Sequence, residues 1–244
     1  MIDGKLGVAI HGAGKVAYAH AASWRKNPHV RIVSVGSRKK ESAQRLIDQL
    51  GLDCEASDDY EKVLQDDRVD IVNLSGPNHV HTPQGIAAAE VGKHILIEKP
   101  MCISMEENRA LRDAVAKAGV KSVVSFVLRW NPLFDNIKSL LAQKAIGELF
   151  YIEVDYWHGL GEWWTGWEWG HKYESGRSTM LTGGCHAVDA IRWFAGEEIV
   201  EVSAFGNNQK GKFEYDANVV AVLKFAGGAI GKTSALFDAD MPYQ

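Results

Sequence analysis

Gly7-Val8-Ala9-Ile10-His11-Gly12-Ala13-Gly14-Lys15-Val16-Ala17 is the stretch that decides the fold. A short strand, Gly7 to His11, runs straight into the pattern GxGxxA, and a helix follows from about Val16 to Arg25. The glycines permit a tight turn and close backbone approach to a pyrophosphate, which sits on the helix N-terminus. Alone the pattern is weak; its weight comes from standing at the start of a βαβ series. Gly12, Gly14, Lys15 and Val16 are the candidate dinucleotide contacts. The competing reading is a plain glycine turn between strand and helix.

Outward from this turn the pattern repeats. Strands are read at Val30 to Gly36, Asp70 to Leu74, His94 to Ile97 and Ser122 to Val127. Helices fall at Glu41 to Leu50, at Thr82 to Val91, and from about Ser104 to Ala118. Thr82-Pro83 reads as an N-cap followed by proline at the first helical position. Ser104-Met105-Glu106-Glu107 reads as a capping box. Continuous apolar strands alternating with helices predict a parallel sheet covered on both faces.

An NAD-type site carries Asp or Glu about 20 residues after the fingerprint. Here the segment is Gly36-Ser37-Arg38-Lys39-Lys40, with no carboxylate. Ser37 followed by basic groups accepts a 2′-phosphate, which favours NADP over NAD. Solvated basic residues before a helix, with Arg38 only stacking on adenine, are the alternative.

The second half changes character. Leu149 to Tyr156 alternates apolar and polar residues, as a half-buried strand does, and Ile199 to Phe205 alternates similarly. Asn218 to Phe225 and Ala229 to Ser234 flank Gly227-Gly228, a hairpin signal. A crossover helix is read from Pro132 to Gln143, and another from His186 to Phe194. The expected fold is therefore an α/β Rossmann domain with a parallel sheet (residues 1–126), followed by an α+β substrate and oligomerisation domain with a mainly antiparallel sheet (127–244).

Two further segments stand at strand ends, where open α/β sheets bind ligands: Ser75-Gly76-Pro77-Asn78-His79-Val80-His81 and Glu98-Lys99-Pro100. With the GxGxxA start, the Pro-Asn-x-x-His turn and the Glu-Lys-Pro strand end at these spacings, the chain resembles the Gfo/Idh/MocA oxidoreductase family. The resemblance runs from about Gly7 to the last residue. It implies nicotinamide dinucleotide (NAD or NADP) as cofactor, with Pro77, Asn78, His81, Glu98 and Lys99 beside it. It implies that Lys99 contacts the reacting hydroxyl and that Lys99-Pro100 is a cis bond. The segment Ser178 to Asp189 is similar to the family's catalytic helix, and His186 matches the general acid/base histidine.

Asp189, three residues on, is read as orienting rather than catalytic. Arg129, in Arg129-Trp130-Asn131-Pro132, matches a segment where an arginine often lies near cofactor or substrate. One position departs from the pattern: Thr182 stands where many members carry an aspartate. Trp163, Trp164, Trp167 and Trp169 crowd a glycine-punctuated loop. Trp163 and Trp164 are candidate sugar-stacking residues; core or interface packing is the other reading. A metal site from His171, Cys185 and His186 has poor ligand spacing, so no metal is assigned.

The implied activity is hydride transfer at a hydroxyl or ketone of a sugar, polyol or glycoside. Its rivals are an NAD-dependent glycoside-cleaving enzyme and a non-catalytic cofactor-binding regulator. The resemblance also implies a homo-oligomer built through the second-domain sheet. It further implies a chain cut short at Gln244, which predicts an open sheet edge beside the strand Ala229 to Phe237.

Composition sets the outer limits. The chain has 244 residues, 46% hydrophobic and 24% charged, with a net charge of −4, ordinary for a globular protein. Nothing in it favours nucleic acid or an anionic membrane surface. Apolar runs are shorter than the ~20 residues of a membrane span. No secretory signal is read at Met1-Ile2-Asp3-Gly4-Lys5, and Cys54, Cys102 and Cys185 form no disulfide framework. The cytoplasm is the default compartment.

Overall fold

The computed structural model describes residues 4–240, and the chain divides into two compact units, Met1–Ser125 and Phe126–Gln244. In the first, strands β1 (Leu6–His11), β2 (Val30–Gly36), β3 (Glu55–Ser57), β4 (Ile71–Leu74), β5 (His94–Ile97) and β6 (Ser122–Val124) alternate with helices. These are α1 (Lys15–Lys26), α2 (Lys40–Leu50), α3 (Tyr60–Leu64), α4 (Asn78–Glu90) and α5 (Met105–Ala118). The strands form a six-stranded sheet in the order β3-β2-β1-β4-β5-β6, every pair parallel. The chain builds outward from β1 on one side, then returns to build outward from β4 on the other. That reversal opens a crevice at the carboxyl ends of β1 and β4, the place where such sheets take ligands.

Alternate residues of β1 serve two cores, because successive side chains of a strand face opposite sides. Val8 and Ile10 pack with Ala17, Ala21 and Leu46, whereas Ala9 packs with Val72, Leu74 and Ala88. This is why the strand is apolar throughout. Helix α2 buries Ala43, Leu46 and Ile47, a stripe at i, i+3, i+4, and ends at Gly51 with φ 58°, the left-handed position that glycine supplies. Helix α5 is capped by Ser104, whose Oγ accepts from the Glu107 N–H at 3.1 Å. The Glu107 carboxylate accepts from Ile103 N–H at 2.8 Å, one residue earlier than in a reciprocal capping box.

The start of α4 differs from the sequence reading. The helix begins at Asn78, with Pro77 as its N-cap and Pro83 inside it. Thr82 is not a cap: its hydroxyl is bonded to Met101 O and to the Glu107 carboxylate, both at 3.2 Å. The short strand β3 and helix α3 were not anticipated from sequence. They are too brief, at three and five residues, to show a period.

The second unit opens with a 3₁₀ turn (Val127–Trp130) and helix α6 (Pro132–Ala142), followed by β7 (Tyr151–Trp157). Two single-turn helices, α7 (Trp167–Gly170) and α8 (Thr179–Thr182), precede α9 (Cys185–Ala195); β8 (Ile199–Asn207), β9 (Asn218–Phe225) and β10 (Ile230–Leu236) complete it. The four-stranded sheet runs β7-β10-β9-β8. The β8–β9 and β9–β10 pairs are antiparallel and β10–β7 is parallel. Gly228, with φ 95°, turns the β9–β10 hairpin. One face of the sheet packs on α9: Ile152, Ala221, Leu223 and Phe225 meet Ala190, Ile191 and Phe194. Leu160, Phe213, Ala217 and Phe237 form a smaller core with Trp164 and Trp167 against it.

Two expectations are corrected here. The strand at Ala229 to Phe237 is no edge: β10 lies between β7 and β9, and the edges are β7 and β8. The parallel crossover from β7 gives β10 a partner on its far side, which the hairpin pattern alone cannot reveal. The alternation of Ile199 to Phe205 does not mark a half-buried strand either. From Val200 to Asn207 every residue of β8 is exposed, Phe205 at 84%. The chain end at Met241–Gln244 lies outside the described residues. Among the described residues, no helix is long and apolar enough to cross a membrane.

Leu46 is fully buried and Ile146 is 74% exposed. Leu46→Ala should therefore cost about 2–5 kcal/mol in urea unfolding, and Ile146→Ala under about 0.5 kcal/mol. Equal costs would contradict this placement of the core.

Candidate functional site

Gly12 follows β1 at the topological switch, with φ 109°. A Cβ there would lie 2.5 Å from the Ser75 carbonyl carbon and 2.7 Å from Gly76 N. The turn after β1 thus presses against the turn after β4, and no side chain fits between them. Gly14 is different. It precedes α1, and an added Cβ would meet nothing within 4 Å. Open space above a helix N-terminus is what a pyrophosphate requires, so these residues fit a dinucleotide. Lys15 and the exposed Val16 open α1 beside that space, and Ala17 packs fully buried against the sheet.

The neighbouring loop begins at Gly36, whose carbonyl accepts from Gly12 N–H at 2.8 Å. Ser37 N–H donates to Ser57 O at 2.9 Å, while Arg38 is exposed. Beneath the loop lies His11. Its Nδ1 would be 2.5 Å from a Cβ on Gly36, and its ring is 4.3 Å from that of Tyr60. That nitrogen has no hydrogen-bond partner, and burial pushes the pKa of His11 down to about 4.

After β4 and β5 come the family-like segments. Asn78 is buried at the first position of α4 behind Pro77. His81 is also buried, its ring nitrogens 2.7 Å from Pro100 O and 2.9 Å from Gly76 O. Burial holds its pKa below the ordinary value, and the neutral ring so favoured donates to one of the two carbonyls. This histidine lies between the two strand-end turns and is hydrogen-bonded to one of them. Lys99-Pro100 is cis, and Lys99 is half-buried.

Glu98 is buried and paired with His20 of α1, Nε2 to Oε1 2.8 Å. Burial alone would raise the Glu98 pKa, but hydrogen bonds from His20 and Ser125 outweigh it and hold the carboxyl below its usual value. The second carboxylate oxygen accepts from Lys99 N–H at 3.2 Å. His20 and Ser125 escaped the sequence reading. The available signal was positional: His20 shares a helix face with the buried Ala17 and Ala21, and a histidine there needs a polar partner.

In the second unit, His186 is the second residue of α9, which starts at Cys185 after the corner Gly183-Gly184. A Cβ on Gly183 would lie 2.6 Å from the Tyr156 ring and 2.8 Å from that of Phe237; one on Gly184 would lie 2.8 Å from the Ala235 methyl. The paired glycines let the helix start lie directly on β7 and β10. The His186 ring consequently stacks on Tyr156 (5.8 Å, 27°) and meets Phe126 edge-on (6.2 Å). Thr182, at the departing position, is buried and donates to Gly176 O at 2.6 Å. Tyr156 is a further residue that sequence reasoning missed.

Arg129 and Asp189 come together. Nε and Nη2 each reach one Asp189 oxygen at 2.8 Å, a bidentate pair that fixes the 3₁₀ turn to α9. Of the two candidate tryptophans, Trp164 packs against Trp169 (5.2 Å) and under Gly166 and Gly170, whereas Trp163 is 65% exposed. Among the described residues, no group of three or more His, Cys, Asp or Glu is placed to hold a metal ion.

The first unit is thus a nucleotide-binding Rossmann fold with a Glu-Lys-Pro strand end, and the second is an α+β unit with a histidine at a helix start. The chain belongs to the Gfo/Idh/MocA family of NAD(P)-dependent oxidoreductases. The family's models for an NAD-binding Rossmann fold and for a GFO/IDH/MocA C-terminal domain match residues 6–126 and 134–244. Levoglucosan dehydrogenase of Pseudarthrobacter phenanthrenivorans is 26% identical over 271 residues, covering 96% of this chain and 68% of that protein. The scyllo-inositol 2-dehydrogenase (NAD(+)) of Bacillus subtilis is 30% identical over 235 residues, covering 93% of this chain and 66% of that protein. A solved structure of levoglucosan dehydrogenase in complex with NADH and levoglucosan matches with a TM-score of 0.86 at 25% identity, covering 97% and 68% of the two chains. The chain spans about two thirds of the length of these relatives.

His11 yields a prediction. Its ordinary pKa is 6.5 and its folded value about 4. Between the two, only the unfolded chain takes up a proton at this site. Stability is therefore intact above pH 6.5 and falls as pH drops toward about 4, by roughly 3 kcal/mol in all. In urea unfolding at neutral pH and near pH 4.5, His11→Leu should recover about 2–3 kcal/mol of the acid-induced loss. An unchanged pH dependence would show that His11 does not carry it.

Proposed function

We propose that this protein transfers hydride between a nicotinamide dinucleotide and a hydroxyl or ketone of a sugar, polyol or glycoside. The observation that carries this reading is Lys99, fixed at the end of β5 in the same sheet whose switch point holds the Gly12 turn. The nicotinamide, when bound, supplies the two-electron acceptor or donor.

The residues divide the remaining work. The Lys99 ammonium stabilises negative charge on the carbinol oxygen as the C–H bond weakens. Glu98, held by His20, accepts from the Lys99 backbone N–H and so fixes where that side chain starts. His186 takes the hydroxyl proton, or returns it in the reductive direction, for which imidazole is suited near neutral pH. The face-on Tyr156 ring restrains the imidazole plane. The residues named around Gly12, Ser37, Asn78 and His81 hold the dinucleotide. Arg129 and Asp189 shape the start and face of α9.

The test is turnover on a panel of sugars and polyols with both cofactors. Lys99→Met and His186→Ala should each lower kcat by roughly 10²–10⁴ while cofactor affinity stays within about twofold. Near wild-type turnover in either variant removes that residue from the mechanism. Product formed without net change in cofactor absorbance would transfer the reading to eliminative glycoside cleavage.

We further propose that NADP binds at least as tightly as NAD. Ser37 and Arg38 offer a hydroxyl and a guanidinium to a 2′-phosphate, and no carboxylate in that loop repels it. Fluorescence titration with both dinucleotides checks this; NAD binding more than about tenfold tighter would exclude a phosphate-reading role.

Self-association through the second-unit sheet is proposed as well. Its outer face presents Phe205, Val222, Ile230 and Trp157, each at least half exposed. Apolar area of this kind marks interaction surfaces. Sedimentation should give a species larger than a monomer, and Phe205→Glu with Val222→Glu should convert it to monomer.

A further inference from the structure

The second unit carries a cavity of about 700 Å³ that the mechanism above leaves unused. Its lining includes Glu162, Trp163, Lys210, Lys212, Phe237 and Asp240. The walls are built rather than loose. Leu160 N–H donates to Phe237 O at 2.9 Å, and Trp164 N–H to Gly161 O at 2.9 Å, so the loop carrying Trp163 is pinned at the end of β10. The opposite wall is the β8–β9 loop. Lys210 Nζ pairs with Asp240 Oδ1 at 2.6 Å and Lys210 N–H donates to Asp238 Oδ2 at 3.3 Å.

Three features define what fits. The Trp163 indole lies back over Gly161, whose added Cβ would be 3.3 Å from its Nε1, and remains 65% exposed. Its neighbours Trp164 and Trp167 are packed into the small core instead. The charges on the lining cancel, two lysines against two carboxylates, so the cavity has no net attraction for an anion. A flat indole beside carboxylate and ammonium groups suits a neutral polyhydroxylated ring: apolar C–H groups lie on the aromatic face and hydroxyls bond the charged rim. Finally, aromatic contacts run without a break from the cavity to His186. Trp163 meets His158 edge-on at 6.1 Å, His158 meets Tyr156 at 6.0 Å, and Tyr156 stacks on His186 at 5.8 Å.

We propose that this cavity is a second saccharide subsite, and that the substrate is a glycoside of two or more rings, one at His186 and another on Trp163. The proposal rests on the assignment of His186 to the reacting ring. It adds that Trp163, Glu162 and Lys212 select for the ring that does not react.

The experiment is binding, measured by calorimetry and ligand-observed NMR on the full chain. The probes are single rings (glucose, galactose, xylose) and two-ring sugars of different linkage (maltose, cellobiose, lactose, sucrose). At least one two-ring probe should bind about tenfold more tightly than its component ring. Trp163→Ala should erase that advantage, Trp163→Phe should keep most of it, and Lys212→Met should reduce it severalfold. Saturation transfer from indole protons should reach the second ring. No two-ring probe binding better than single rings overturns the proposal, as does equal weakening of both classes by Trp163→Ala. Selective two-ring binding without turnover would sink the dehydrogenase reading and leave the subsite standing. Turnover of single rings with no gain from a second ring would do the reverse.

Discussion

The close approach of two backbone turns is the constraint on which the first unit depends. The turn after β1 and the turn after β4 touch at Gly12, where any side chain would run into the Ser75–Gly76 backbone. Parallel strands about 4.7–4.9 Å apart leave room for two such turns only if one is bare. Because the turns touch, the N-termini of α1 and α4 open on one crevice, and the β5 strand end follows beside them in the same sheet. The binding features are therefore consequences of strand order and of one glycine. His81 fills the space between Gly76 O and Pro100 O and donates to one of them. The Glu98–His20 pair ties β5 back to the helix that opens the fingerprint.

The second unit solves a similar problem with a different corner. Gly183 and Gly184 remove the side chains that would hold the start of α9 off the sheet. His186 then meets Tyr156 face to face. The same closeness brings Asp189, one helical turn on, within reach of Arg129. Arg129 and Asp189 are thus engaged with each other. Their energetic value follows from geometry rather than charge alone. A bidentate guanidinium–carboxylate contact is stronger than a simple ion pair, and Asp189 is largely buried while Arg129 is partly exposed.

What the sequence disclosed followed the physics of period and spacing. The parallel sheet was legible because its strands are apolar on both faces, and the fingerprint because its glycines sit between a strand and a helix. The β9–β10 hairpin was legible from Gly227-Gly228. Apart from the short β3 and α3, what was hidden has a common cause: contacts between segments distant in sequence. Thr82 looks like a cap until Met101 and Glu107 are seen to hold its hydroxyl. Strand β10 looks terminal until β7 pairs along its other side. Tyr156 carries no local signal and His20 only its place on a buried helix face, because each acquires its role from a partner, 30 and 78 residues away respectively. Side chains chosen for burial show in the local pattern; side chains chosen for a distant partner do not.

The tryptophan-rich loop shows how one composition supports two roles. Trp164 and Trp167 close a small core around Phe213 and Phe237, and glycines at 166 and 170 exist in part to make room for the Trp164 ring. That packing fixes the loop, and a fixed loop is the condition for presenting Trp163 usefully. An exposed indole on a mobile segment would lose conformational entropy whenever a ligand bound it. Here the entropy has already been surrendered in folding, to hydrogen bonds from Leu160 and Trp164 and to the buried rings beneath. The packed tryptophans and the exposed one are therefore parts of one structure: the core that Trp164 and Trp167 close holds in place the loop that carries the exposed Trp163.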